Sequence, residues 1–419
     1  MSQCGDVVKT VLFVTYHFPP SAASGTQRIL GFTEHLPALD WSIDVVTPDR
    51  VPLEPIDQGL IQRVPAGVRT IQVKYPTGGL SRIGRRFVGH SVWLPRLPRT
   101  LARLIAQRRP DVVVTSGPPQ CVHLAGLYCK LMYGIPWVAD FRDPWVAGAG
   151  LKVGLFGGRL SALGERWVFA RADGIVVNAP NAGKIVAAHY PAAAEKIHCV
   201  TNGYDPSQFS GIEAAPRSQF VITHAGEIYA GRDPRPFLDA IKILLAEEAV
   251  PRERLSVEFI GTGEDSGLSI TEEIAQRGLA NVVRVVGRVP YRESLARMVN
   301  SDLLLLLDAP NRLGGVPAKL YEYIGARRPI IALATPSSDV DWVLRESRHV
   351  FRLAPTHDVP GICSALRDLL SDPGQVTLST APDLFSRRVL AGRFSQLLTS
   401  LIRPQARSNA FTAMPAVEG

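Results

Sequence analysis

Twice along this chain, short uninterrupted runs of Val, Ile and Leu alternate with longer stretches of helical character. Few folds accept that pattern. The runs lie at 10–15, 43–47, 70–73, 111–115, 136–140, 174–178 and 197–201, then at 220–224, 255–260, 282–286, 302–307, 329–334 and 350–353. Because they are apolar throughout rather than alternating, they suit strands covered on both faces, as in a parallel sheet. Helices between successive parallel strands give an α/β fold, and the restart after Asn202-Gly203-Tyr204-Asp205-Pro206 gives two doubly wound domains. The 419 residues agree, at about 150 per domain, with two or three units. The boundaries read as 1–205 for the first domain and 206–384 for the second. Segment 202–218 is the linker, a last helix follows at 385–402, and 403–419 is a tail expected to be disordered. The longest apolar run, Leu303 to Leu307, is far short of the about 20 residues a spanning helix needs. No signal-peptide pattern follows residues 1–9. Cysteines at 4, 121, 129, 199 and 363 are odd in number and form no C-x-x-C, which argues against a disulfide framework and a structural zinc site. The expectation is a chain of the reducing cytosol.

Charge is unevenly distributed. The chain carries +8 overall, yet no Asp or Glu occurs from Gln58 to Pro110, where Lys and Arg stand at 63, 69, 74, 82, 85, 86, 96, 99, 103, 108 and 109. Eleven positive charges against a total of eight leave −3 for everything else. Arg82, Arg85, Arg86 and Trp93 form a mixture that suits the headgroup layer of an anionic membrane. Leu97, Leu101, Leu104 and Ile105 equally have the spacing of a core helix under a solvated face. No helix-turn-helix or aromatic platform accompanies the patch, so nucleic acid is not expected as a partner.

In doubly wound folds, ligands bind beyond the carboxyl ends of the strands, so the loops there carry the chemistry. The first runs from Tyr16 to Arg28 through Phe18-Pro19-Pro20 and Gly25, whose small residues let a ligand approach the backbone at a helix N-terminus. Gly261-Thr262-Gly263 with Ser266 at the third glycine position is only a fragment of a dinucleotide fingerprint. Gly226 through Arg232-Asp233-Pro234 is richer. Asp233 and Pro234 read as N-cap and first helical residue, and Arg232 stands where a phosphate is favoured by the helix dipole. Gly314-Gly315-Val316-Pro317-Ala318-Lys319-Leu320-Tyr321-Glu322 is the strongest signal. Two glycines feed a helix, and a lysine in its first turn is electrostatically misplaced unless an anion sits there. Glu322, three residues on and on the same face, can accept hydrogen bonds from a ribose diol. Asp339-Val340-Asp341 reads as a helix cap.

These motifs, in this order over nearly all of 10–402, resemble the GT-B-fold glycosyltransferases, in particular family 4, the retaining group acting on bacterial glycans and glycolipids. The quoted residues are Phe18-Pro19-Pro20 with Gly25, Val200-Thr201-Asn202-Gly203-Tyr204-Asp205, Gly226 through Pro234, Gly287-Arg288-Val289 and Val316 through Glu322. The resemblance implies two Rossmann-like domains facing a cleft, with a last helix crossing back to the first. A nucleotide-sugar donor, UDP-linked, would be held mainly by the second domain. Glu322 would hold the ribose, Arg232 and Lys319 the diphosphate, the backbone at Arg288 and Val289 the base, with Gly226, Gly315 and Val316 around the donor. Gly25 would face the phosphates or the acceptor. A lipid-linked or polysaccharide acceptor is implied, with the chain peripheral on the inner face of the cytoplasmic membrane in cell-surface polysaccharide synthesis. No cofactor and no metal is expected, because fixed cations and helix N-termini stabilise a leaving diphosphate.

The chain departs from the family pattern twice. Gly314 replaces the first of two glutamates eight positions apart, and Arg142 stands at the histidine of a common His-Asp pair. A guanidinium stays protonated, so Asp143 or Asp140 becomes the candidate to accept a proton. Two other functions fit the same motifs: a nucleotide-sugar epimerase, and a non-catalytic partner in a glycan assembly complex.

Overall fold

The computed structural model describes residues 8–23, 25–50, 56–76, 89–143, 145, 155–228, 231–261, 269–371 and 383–402. The first domain carries strands β1 (Lys9–Thr15), β2 (Trp41–Pro48), β3 (Arg69–Val73), β4 (Val112–Gly117), β5 (Trp137–Phe141), β6 (Gly174–Val177) and β7 (Ile197–Cys199). Its helices are α1 (Thr26–His35), α2 (Leu97–Gln107), α3 (His123–Tyr133), α4 (Leu155–Arg171) and α5 (Pro180–His189). The second domain carries β8 (Phe220–Ala225), β9 (Leu255–Ile260), β10 (Val283–Val286), β11 (Leu303–Leu307), β12 (Ile330–Leu333) and β13 (Phe351–Ala354). Between and after them run α6 (Arg235–Ala246), α7 (Ile270–Gln276), α8 (Tyr291–Val299), α9 (Ala318–Ala326), α10 (Asp339–Glu346) and α11 (Val359–Ser371), and last comes α12 (Arg387–Leu401). Each apolar run of the sequence is a strand within a residue or two.

Both sheets are wholly parallel. Their orders are β3-β2-β1-β4-β5-β6-β7 and β10-β9-β8-β11-β12-β13. Each has a topological switch point, between β1 and β4 in one and between β8 and β11 in the other, and a crevice opens there beyond the strand ends. The α/β expectation, two Rossmann-like domains, is therefore the observed architecture. β11 shows why continuous runs were informative: all five of its leucines are buried, with helices on both faces.

The last helix belongs to the first domain. Leu390, Phe394 and Leu398 are buried in one cluster with Phe13, Ile29, Phe32 and Trp41. The Phe32 and Phe394 rings stack at 4.3 Å between centroids, and Trp41 Nε1 donates to Ser395 Oγ at 2.8 Å. The chain enters this helix through a bridge to the linker: Tyr204 N donates to Phe385 O, and Arg387 N donates to Tyr204 O.

Segment 58–110 is described in part. Arg82, Arg85 and Arg86 lie outside the described residues. Trp93, expected at a membrane-facing surface, is instead wholly buried between Tyr16 and the α2 side chains Leu97 and Leu101. Its indole does more for the core than it could at a surface, because a large aromatic buries more apolar area than any aliphatic neighbour. Arg96, Arg99 and Arg103 on the outer side of α2 are exposed. No described helix is long and apolar enough to cross a membrane.

The linker bridge is sterically tight. A Cβ on Gly203 would stand 2.2 Å from the carbonyl oxygen of Phe385, which is backbone and cannot swing away. Gly203→Ala is expected to lower stability by about 1–3 kcal/mol, as overpacking does, read as a fall in the urea midpoint. An unchanged midpoint would show that this bridge contributes nothing to the fold.

Candidate active site

The two switch points face each other across a cleft of about 900 Å³. From the first domain it is lined by His17, Gly25, Arg28, Pro118, Arg142 and Asp143, and from the second by Gly226, Arg232, Arg312 and Gly314 through Lys319.

On the first-domain wall, Arg28 is the organising residue, and nothing in the sequence marked it beyond its place at the loop's end. Its Nε and Nη2 clasp Asp140, with a 2.7 Å contact to Oδ1. Nη1 donates to Thr201 O and Asn202 Oδ1, and Nη2 to Val200 O. Ser116 Oγ donates to Asp140 Oδ2 at 2.8 Å. Asp140 is thus wholly buried and committed, which removes it as a proton acceptor; Asp143 is exposed on the cleft. Arg142 folds back, with Nε donating to Gly117 O and Nη2 to Pro118 O. A Cβ on Gly25 would fall 1.2 Å from Arg142 Nη1. Gly25 therefore lies on the cleft wall, but its missing side chain makes room for a guanidinium, not for a ligand.

Below this wall, His123 is fully buried with Nδ1 2.8 Å from Thr115 Oγ1. That hydroxyl also accepts from Trp137 Nε1 at 2.8 Å. Burial pushes the imidazole down to about 3.

On the second-domain wall, His224, next to last in β8, has Nδ1 donating to Leu305 O at 2.9 Å, and burial pushes its pKa down to about 4. Tyr323 of α9 receives the Ala225 N–H at 2.7 Å and donates to Leu305 O, fixing α9 beneath the loop that begins at Gly226. Gly315 has φ +87°, a conformation that favours glycine, and Arg312 closes that loop on Gly314 O and Asp308. Helix α6 starts one residue later than expected, at Arg235, because Pro234 takes the cap position; Asp233 still accepts the Arg235 N–H at 2.9 Å. Arg232 is half-buried on the cleft. Lys319 pairs with Glu322 at 2.5 Å, and Tyr291 OH reaches Glu322 at 3.4 Å. Lys319 lines the cleft, whereas Glu322 lines a smaller adjoining cavity that shares Lys319. Arg288, whose side chain is 70% exposed, pairs with Glu227 at 3.6 Å, and half-buried Val289 packs on the second-domain core. Neither lines the cleft or the smaller cavity.

Asp339 is not the cap of α10; Ser338 is, with its Oγ accepting the Asp341 N–H. Wholly buried Asp339 joins the domains instead. Oδ1 accepts the N–H of Asn181 in the first turn of α5 at 2.9 Å, and Oδ2 accepts the N–H of Gly315 at 2.7 Å. Burial raises its pKa, and the two N–H donors oppose that rise. Asn181 Nδ2 also donates to Leu313 O. The carboxylate oxygen lies 3.9 Å from where a Cβ on Gly314 would stand, beside the position of the absent first glutamate.

Fold and cleft together define a two-domain α/β protein built around an interdomain cationic site. Residues 25–203 match the family model described as a glycosyl transferase 4-like domain. A D-inositol 3-phosphate glycosyltransferase of Streptomyces avermitilis is 28% identical over 225 residues, 50% of this chain and 47% of that protein. One of a Nocardioides species is 29% identical over 252 residues, 56% of this chain and 52% of its own. The chain spans about half the length of the curated relatives it matches. Among solved structures, sucrose-phosphate synthase from Thermosynechococcus elongatus superposes with TM-score 0.62 at 14% identity, covering 94% of this chain and 95% of that one. HepE of Anabaena, solved with UDP-glucose, gives 0.61 at 14% identity, covering 93% and 99%. The chain thus has the two-domain GT-B fold of these neighbours, and the likeness to family 4 glycosyltransferases extends over residues 25–203.

The buried histidines make stability acid-sensitive. Unfolded, His123 and His224 take protons near pH 6.5; folded, they refuse them until about 3 and about 4. Their contribution is therefore complete above pH 6.5 and is lost as pH falls, at up to about 1.4 kcal/mol per pH unit for each. Urea midpoints measured between pH 7 and 5 should drop, and His123→Gln should remove its share of that slope. Asp339→Ala strands two N–H groups at about 1–3 kcal/mol each. Small-angle scattering should then show a larger radius of gyration than wild type; an unchanged radius would remove the interdomain role.

Proposed function

We propose that this protein moves a sugar from a nucleotide-sugar, UDP-linked, to a lipid-linked or polysaccharide acceptor with retention of configuration. The observation that carries this reading is the convergence of Arg232, Lys319 and the α9 N-terminus on one face of the cleft, opposite Asp143 on the other. As the diphosphate leaves, negative charge grows on its β-phosphate, and cations fixed beforehand stabilise that charge without reorganising. This assigns the leaving-group charge to side chains rather than to a metal ion. Sugar and diphosphate occupy the cleft. The ribose passes Lys319 to reach Glu322 in the adjoining cavity. Asp143, an exposed carboxylate on the cleft wall, is placed to take the acceptor's proton. Asp339 holds the glycine loop against the first domain, so the donor site is complete only when the domains are together, which excludes water from the reacting bond.

The relatives that are D-inositol 3-phosphate glycosyltransferases support a sugar-transfer reading. A putative UDP-N-acetylglucosamine 2-epimerase of Listeria monocytogenes shares the fold at 12% identity, and that likeness shows the fold alone. A cleft of about 900 Å³, near the upper end for small-molecule sites, has room for an acceptor as well as a donor. Exposed Arg96, Arg99 and Arg103 supply charge for an anionic membrane carrying that acceptor.

Calorimetric titration with UDP and GDP tests the donor site. One nucleotide should bind at micromolar strength, weakened about tenfold to a hundredfold in Glu322→Ala, the range for hydrogen bonds to a charged group. Binding of neither nucleotide would overturn the reading.

A further inference from the structure

The cavity adjoining the cleft, of about 320 Å³, lies where three parts of the chain meet. Arg28 and Gly31 come from α1, Lys319 and Glu322 from α9, and Arg387 from the start of α12. Arg387 is only 8% exposed, and its buried Nη1 has no hydrogen-bond partner. Among the described residues, none hydrogen-bonds to this guanidinium or forms an ion pair with it. A guanidinium cannot shed its charge, and a buried charge without a partner is costly to keep.

The nearby acids are committed elsewhere. Glu322 pairs with Lys319. Asp205 accepts from Ser207 N and Oγ; it feels the charge of Arg387 but does not pair with it. Arg28 is neutralised by Asp140. No acidic residue stands in the first turn of α9 or of α12, where each helix dipole is positive. The lining thus retains one uncompensated positive charge. Glu34, His35 and Asp205 bring their ligand atoms within 4.8 Å of one another, but Arg387 and Arg388 act on His35 as positive neighbours, which disfavours a cation there.

We propose that this hinge cavity is a second anion site, taking the phosphate of a small phosphorylated molecule on Arg387. It is separate from the donor's diphosphate, which the proposed function puts on Arg232 and Lys319, and it shares its cavity with the ribose that the same reading puts on Glu322. A guanidinium fork matches two phosphate oxygens. Gly31 makes the arrangement possible: a Cβ there would stand 2.7 Å from Arg387 Cδ, so the glycine lets the arginine stem lie across α1. An occupant that touches both domains and the crossover helix stabilises their assembled arrangement through its binding free energy.

Full-length protein is titrated calorimetrically with inorganic phosphate and, separately, with UDP, and its thermal midpoint is followed with each. Phosphate is expected to bind once and to raise the midpoint. Arg387→Gln should weaken phosphate at least about tenfold while changing UDP far less. Gly31→Ala, which keeps the charge but displaces the stem, should also weaken phosphate; it serves alone if Arg387→Gln does not fold by circular dichroism. Arg232→Gln should weaken UDP and leave phosphate unchanged. Phosphate that fails to bind wild type, or binds the Arg387 and Gly31 variants as well as wild type, overturns the site. So does loss of UDP and phosphate together in Arg387→Gln, which would make this guanidinium part of the donor site. If UDP fails to bind while phosphate binds through Arg387, the proposed function falls and the hinge site stands.

Discussion

The buried pair between Arg28 and Asp140 is the constraint on which the cleft depends. It takes all five guanidinium donors to bring α1, the end of β5 and the linker at 200–202 onto one point. Removing either partner would leave a charge in the interior, which is far more costly than the pair is stabilising. Its value is therefore geometric. It sets where the first domain ends and the second begins, and it does so from inside the site. A side chain so fully satisfied has little capacity left for a ligand; Arg232 and Lys319 bring positive charge to the opposite wall of the cleft.

A second joint repeats this logic with a single carboxylate. Asp339 accepts one N–H from each domain, and the loop it fixes contains Gly315 and borders Lys319. The family pattern places a glutamate at 314; here a carboxylate stands beside that position but comes from α10, with both oxygens turned to backbone N–H groups. The negative charge of the region is thereby spent on holding the domains together.

Much of this was legible in the sequence, and the parts that were not have a common cause. All thirteen strands could be read because a strand buried on both faces writes its own signature in consecutive residues. Lys319 and Glu322 could be read because they lie three apart on one helix. Arg28 with Asp140 and Asn181 with Asp339 are separated by 112 and 158 positions, and no local pattern links them. Trp93 misled for a related reason. Its neighbours in sequence are basic, but its neighbours in space are Tyr16 and the apolar side of α2. The fold-back of Arg142 onto Gly25 was equally hidden, since the glycine's open space belonged to a side chain 117 positions away.

The crossover helix has a consequence for how the chain is made. Leu390, Phe394 and Leu398 complete the apolar cluster of the domain whose first strand begins at Lys9. Domains usually fold as units while synthesis proceeds from the N-terminus. This one cannot finish in that order: when its seven strands have left the ribosome, the groove between α1 and Trp41 is still uncovered. It stays open until the whole second domain has been translated. During that interval the nascent chain carries an apolar surface in need of cover, and a stop anywhere before α12 would leave the first domain, not the second, unfinished.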